Sequence, residues 1–326
     1  RKWVKLSLFL LAMASAGSST SENAVVAALR THLLGENAAN FADVTFKSKD
    51  GREVPAVRAL LSARSPVFRR MLFGEFLEAA SASISIPEWA ADTLHAIIEF
   101  CYTDDTALFA EFQLPGHLAS LITLAKAGDF FELPMLLTRS CRKIEEAIAC
   151  SPLLACAVVQ HIAPGVGIES LEKLRKHAWS VIQSSPRDAL LKADGKTGLP
   201  GVVQLDSQGM EDLVKDDGTS ADEALLFSAL RRWSDEGEQE AVPARTGSRK
   251  RKAQELACHL KFAKMPPSFL RDSVAPSGLV DPKVLSDAFV EQALLAETKH
   301  GVNYSAPRKP VAAEPIFVVM PLRRRR

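Results

Sequence analysis

The chain has 326 residues, 47% of them apolar and 24% charged, with a formal net charge of +1. That length suggests two domains of ordinary size, each able to bury its own core. The near-neutral charge excludes a whole-molecule field that would draw in nucleic acid or an anionic membrane.

The five cysteines, Cys101, Cys141, Cys150, Cys156 and Cys258, are odd in number and sit inside apolar helical patterns. They form no CxxC and no Cys/His cluster of zinc-ligand spacing, so they read as buried free thiols in a reducing compartment. One segment argues differently. The chain opens RKWVKLSLFLLAMASAG, a basic start, an apolar run and an A-x-A ending at Ala16, which is the layout of a secretory signal peptide. The run is too short to span a membrane. Residues 1–20 are therefore an apolar leader, signal-like or part of a fragment, since the first residue is Arg. The cysteines favour a cytoplasmic or nuclear protein, with secretion as the alternative.

Residues 21–35 place Val25, Val26, Leu29 and Leu33 on one helical face, with Ser21 a candidate N-cap and Gly35 a candidate stop. FADVTFKSKDGREVPAV then alternates apolar and polar around Asp50-Gly51, a hairpin signal, and Pro55 confines the second strand to an edge. Helix starts recur as Ser or Asp before Pro, at Ser65-Pro66, Ser151-Pro152, Ser185-Pro186 and Asp281-Pro282. SARSPVFRRMLFGEFLEA opens as a helix with Val67, Phe68, Met71 and Leu72 facing a core, and breaks at Gly74. SASISIP is a short strand with Ile84 and Ile86 on one face. Helices follow with stripes at Leu94, Ile97, Ile98, Cys101 and at Leu118, Leu121, Ile122, Ala125.

From residue 151 strands are scarce. Ser220 and Glu223 form a capping box opening ADEALLFSALRRW, with Leu226, Ala229, Leu230 and Trp233 on the buried face. Residues 234–252, SDEGEQEAVPARTGSRKRK, swing from acidic to basic without an apolar period and are expected to be an exposed loop. Its RKRK is read as a solvated charge run, against a nuclear-import or nucleic-acid patch. Residues 301–326 are expected to be a disordered basic tail. No internal repeat of 20–50 residues occurs.

These pieces in this order resemble a BTB/POZ domain followed by a BACK domain. FADVTF, VPAVRALLSARSPVFRRMLFGEFLEA, ISIPEWAADTLHAIIEFCYTDD and LITLAKAGDFFELPMLL carry the first likeness. SADEALLFSALRRWSDEG and LKFAKMPPSFLRDSVAPSGLVDPKVLSDAFVEQA carry the second. The expected architecture is α+β: a BTB/POZ fold of short strands flanked by helices at 21–150, then an all-α BACK domain at 151–300.

The resemblance implies an adaptor that is not an enzyme. BTB domains typically dimerise through the helix before the first strand, here Val25, Val26, Leu29 and Leu33. In dimer-forming members an aspartate and an arginine lie near each other at the subunit interface, and Asp43 and Arg58 match them. A local ion pair within one chain is the alternative for these two. The histidine of that family motif is Val57 here. Many BTB proteins dock on cullin-3 through an apolar-x-Glu triplet, matched by Phe76-Leu77-Glu78, and bring a protein substrate to a RING ubiquitin ligase. A large ring raised on a loop by Gly74 suits a partner's pocket; folding back into its own core is the alternative for Phe76. A self-association scaffold without a ligase role is the alternative function. Family members usually read substrate with a further domain such as a Kelch propeller, and no such repeat is present in these residues.

An enzyme has little support in the sequence. There is no Gly-rich phosphate loop, no G-x-S-x-G and no H-E-x-x-H. DGKTG at 194–198 lacks the upstream glycine of a P-loop, the position being Leu190. His161 and His177 lack partners at ligand spacing. No cofactor or metal is expected, nor a nucleic acid or membrane partner.

Overall fold

The computed structural model describes residues 26–35, 38–74, 81–110, 115–193, 201–236 and 246–300. The leader, Ser21, Val25, Phe76, Glu78, the DGKTG segment and the basic tail lie outside these residues.

A helix over 26–29 continues as the π-helical turn Arg30–Leu34 (together α1), and α2 (Ala38–Phe41) leads into the sheet. Strands β1 (Val44–Ser48) and β2 (Glu53–Ala56) form the expected hairpin, with Val44 opposite Ala56 and Phe46 opposite Val54. Gly51 supplies the positive φ of +76° that the turn requires. The Asp50 carboxylate accepts a hydrogen bond from Ala91 N–H at 3.0 Å, tying the turn to the start of a later helix. β3 (Ser83–Ile86) joins β1 in parallel, giving the order β2-β1-β3. β2 is thus an edge strand, which is where Pro55 is tolerated. Every apolar residue at alternate positions of these strands, Val44, Phe46, Val54, Ala56, Ile84 and Ile86, is buried.

Between β2 and β3 run α3 (Arg58–Arg64) and α4 (Pro66–Phe73). After β3 come α5 (Ala91–Thr103), α6 (Ala107–Ala110), α7 (Pro115–Phe130) and α8 (Pro134–Cys150). The stripes at Leu94, Ile97, Ile98, Cys101 and at Leu118, Leu121, Ile122, Ala125 are all buried, as their helical spacing predicts.

The remainder is helical: α9 (Leu154–His161), α10 (Glu169–Ser184), α11 (Ser207–Lys215), α12 (Glu223–Glu236), α13 (Thr246–Ala257) and α14 (Pro282–His300), joined by π- and 3-10 turns. One continuous apolar core runs from Leu29 to Ala288. Among the described residues no helix is long and apolar enough to cross a membrane. The architecture is α+β as expected: a small mixed sheet of three strands flanked by helices, followed by an all-helical region.

Four expectations need correction. The 234–252 segment is not one loop: α12 runs to Glu236 and α13 starts at Thr246, leaving 237–245 outside the described residues. RKRK therefore lies on a helix. The Arg249 guanidinium sits 5.0 Å from the centre of the buried Trp233 ring, and Lys252 pairs with Glu211 at 2.8 Å. Lys250 and Arg251 alone of the four are exposed. The charge swing hid a helix because the basic stems cover apolar neighbours while their heads reach water.

The capping box at Ser220 and Glu223 does not form. Asp222 accepts from Leu225 N–H at 2.7 Å, the Ser220 hydroxyl donates to the Gln183 carbonyl at 2.6 Å, and Glu223 accepts from Lys261 N–H at 3.0 Å. A carboxylate adjacent to the first turn competes better for the helix amides than a serine two residues earlier. At Ser185-Pro186 only the π-helical turn Arg187–Leu191 forms, and α9 starts two residues beyond Pro152. Finally, all five cysteines are free but only Cys101, Cys141 and Cys156 are buried; Cys150 and Cys258 are exposed. Burial pushes the Cys101 and Cys156 thiols up to about 12 and Cys141 to about 11.

Candidate protein-docking surface

Ser65 caps α4 by accepting from Phe68 N–H at 3.1 Å, and Pro66 pre-sets the first turn. The same hydroxyl, fully buried, donates to the Phe131 carbonyl at 2.6 Å. Phe68 stacks on Phe131 with ring centroids 4.4 Å apart and packs on Phe46 of β1 at 5.6 Å. So the start of α4 is clamped between the sheet and the turn joining α7 to α8. Gly128 allows that turn to close: a Cβ there would lie 2.9 Å from Leu137 N. The Arg70–Glu132 ion pair at 2.6 Å bridges the outer side of α4 to the same turn.

With Phe68, Leu72 and Phe131 inside, the neighbouring large side chains are pushed outward. Phe73, the last residue of α4, is 57% exposed; Phe130 is 47% and Met135 61% exposed. Trp89, partly buried, meets Phe130 edge-on at 5.9 Å. Phe73, Phe130 and Met135 are the only large apolar side chains exposed before residue 282 among the described residues. They sit on three helices, Phe73 at the end of α4 beside Gly74, Phe130 at the end of α7 and Met135 at the start of α8, and the Arg70–Glu132 ion pair ties α4 to the turn between the other two. Single exposed apolar residues are ordinary; these three stand on elements joined by the Arg70–Glu132 bridge, which makes this side of the molecule the candidate docking surface.

Arg58 anchors both ends of the 73–80 excursion. Its guanidinium donates to the Leu72 carbonyl at 3.0 Å, to the Ser81 carbonyl, and at 3.4 Å to the Asp43 carbonyl. Asp43 in turn accepts from Arg58 N–H at 2.8 Å and so caps α3 from outside. The two residues are brought together within one chain by hydrogen bonds that each use a main-chain group, the Arg58 N–H and the Asp43 carbonyl. Val57 is buried, and its N–H donates to the buried Tyr102 hydroxyl at 2.8 Å.

Helix α1 packs inward. Leu29 and Leu33 belong to the chain's own core, Val26 is half-buried, and Arg30 pairs with Glu99 at 3.1 Å and with Asp105 at 3.4 Å. Asp105 also holds Arg139 at 3.2 Å, which links α1, α5 and α8. The apolar stripe expected to meet a second copy therefore meets α5 first.

Sequence reading missed Phe130 and Met135. Their signal was present in DFFELPM: adjacent apolar residues at a helix end cannot both face one core, and the proline at 134 fixes the next helix so that Met135 begins outside it. Among the described residues no three His, Cys, Asp or Glu side chains are grouped to hold a metal.

Residues 34–147 match the BTB/POZ domain family. Kelch-like protein 38 of Homo sapiens is 25% identical over 242 residues, 74% of this chain and 37% of the relative. Kelch-like protein 21 of Rattus norvegicus is 30% identical over 144 residues, 41% of this chain and 24% of the relative. Kelch-like protein 11 of Mus musculus is 24% identical over 292 residues, 85% of this chain and 37% of the relative. The chain thus spans between a quarter and somewhat over a third of these relatives. Clamped α4, the mixed three-stranded sheet and the sequence match agree: residues 34–147 are a BTB/POZ domain, followed by a helical region related to the corresponding part of Kelch-like proteins.

Proposed function

We propose that the protein is a non-catalytic interaction adaptor, a dimeric substrate adaptor of a cullin-3 RING ubiquitin ligase acting in the cytoplasm or nucleus. The observation that carries it is the exposure of Phe73, Phe130 and Met135, with Phe73 three residues before Phe76-Leu77-Glu78 in the sequence. In this reading Phe76 anchors cullin-3, Glu78 orients it, and Phe130 and Met135 extend the contact. The dimer forms through α1 and the Asp43–Arg58 region, and the helices after 150 hold a protein substrate at a set distance.

The test is calorimetric titration of the full chain with the N-terminal region of cullin-3. Submicromolar binding is expected, and Phe76→Ala should weaken it by about 2 kcal/mol, roughly thirtyfold, while leaving the dimer intact. No binding by folded wild type refutes the adaptor. A dimer indifferent to Phe76 and blind to cullin-3 identifies instead a BTB self-association scaffold.

A further inference from the structure

Five of the eight exposed large apolar side chains among the described residues lie on α14: Val284, Phe289, Val290, Leu294 and Leu295. Its inner face is already satisfied. Leu285 and Ala288 are buried, and the Gln292 amide donates to the Ala263 and Met265 carbonyls at 3.1 and 2.7 Å. Val290 and Leu294, each 57% exposed, point away from that face. A helix apolar on both sides is built to be covered on both. At its first turn Val284 borders a groove of about 520 Å³ lined by Ala257, Cys258, Phe262, Leu279, Val280 and Asp281. From the groove a track runs along the helix past exposed Lys283 and Asp287 to Phe289, Val290, Leu294 and Leu295.

We propose that this track is occupied by the chain's own Pro315–Leu322 segment, PIFVVMPL, folded back antiparallel to α14. Those eight residues lie outside the described structure and form the one long apolar run in the sequence after His300. The fourteen residues 301–314 reach up to about 46 Å when extended, more than the roughly 28 Å length of the 19-residue helix. An extended octet covers about 26 Å, which matches the helix. Antiparallel docking brings Met320 and Leu322 to the groove and Arg323–Arg326 past the helix start, where Asp281 is exposed and Lys283 is the one neighbouring cation on the first turn. Arg308 and Lys309 then lie beyond the opposite end of the helix.

The test uses the full chain. Cys258 is exposed and lines the groove, so Met320→Cys should form an intrachain disulfide with it under mild oxidation, abolished by Cys258→Ser. Backbone amides of 284–296 should exchange roughly tenfold faster in Phe317→Asp/Val319→Asp, with α5 unchanged. Absence of the cross-link, or a cross-link found only between chains, overturns the proposal. So does exchange of 284–296 that the substitutions leave unaltered, or protection that rises with protein concentration, which would assign the track to a second copy.

Discussion

Arg58→Ala separates a local role from an interface role for the Asp43–Arg58 pair. The substitution removes guanidinium hydrogen bonds to the carbonyls of Leu72 and Ser81 and the longer one to Asp43, and leaves those carbonyls without this donor at a half-buried position. Charged-donor hydrogen bonds contribute about 1.5–3 kcal/mol each when buried and less when partly solvated, so the expected loss is about 2–4 kcal/mol of folding stability. The backbone cap from Asp43 to Arg58 N–H survives, which keeps the loss from being larger. Arg58→Lys preserves charge but cannot span carbonyls 23 and 14 residues away with one ammonium, so it should recover less than half of the loss. Urea denaturation at several protein concentrations is the assay. A loss within about 0.5 kcal/mol of zero would refute the bracing account. A loss that appears only in the concentration-dependent part would transfer the pair to a dimer interface.

Arg249→Ala should cost about 1 kcal/mol by thermal or chemical denaturation, because its guanidinium lies over the Trp233 ring, while Lys250→Ala and Arg251→Ala should be near neutral. Equal effects of all three would show that the run is simply solvated. A thiol reagent at neutral pH should label Cys150 and Cys258 rapidly and the other three only on unfolding. The same burial makes a pH prediction: folded Cys101 and Cys156 keep their protons up to about 12, whereas an ordinary thiol loses its proton near 9.0. Stability is therefore full below pH 9 and falls as pH rises toward 12, by about 1.4 kcal/mol per pH unit for each buried thiol. The expected contrast is a clearly shallower fall in Cys101→Ala/Cys156→Ala than in wild type, the remainder coming from Cys141, whose thiol burial also raises; equal slopes in the two would refute the account.

What the sequence made legible follows from periodicity. Val44 to Ile86 alternate and Leu94 to Ala125 step by three and four, so the sheet and the buried faces of α5 and α7 could be read directly. Ser65-Pro66 was legible because cap and pre-set turn act locally. Failures came where a distant partner decided. Ser220 was drawn to the Gln183 carbonyl 37 residues away, and Arg249 to Trp233, contacts that no local window contains. Leu29 and Leu33, expected on a stripe facing a second copy, are buried within this chain's own core, which by itself does not decide what else α1 meets. Periodicity marks a face that seeks burial, not the chain that supplies it. Exposed Phe130 and Met135 were overlooked for the converse reason: an apolar residue in an apolar segment carries no mark of which side of the helix it is on until the register is fixed.

The eight exposed large apolar side chains fall into two groups with different physical characters. Phe73, Phe130 and Met135 stand on elements that are clamped from below, by the Phe68–Phe131 stack, the doubly used Ser65 hydroxyl and the Arg70–Glu132 bridge. Side chains on such a support lose little further conformational freedom when a partner arrives, which favours recognition of a separate molecule. The α14 group stands on the last described helix, held by Leu285, Ala288 and the Gln292 amide, with its partner candidate in the same sequence. A tethered segment needs only weak intrinsic affinity, because the linker raises its effective concentration into the millimolar range. These physical differences are why the proposals give the first group a partner in trans and the α14 track one in cis. If Phe130→Ala weakened cullin-3 binding while leaving exchange at 284–296 unaltered, the two surfaces would be shown to work independently.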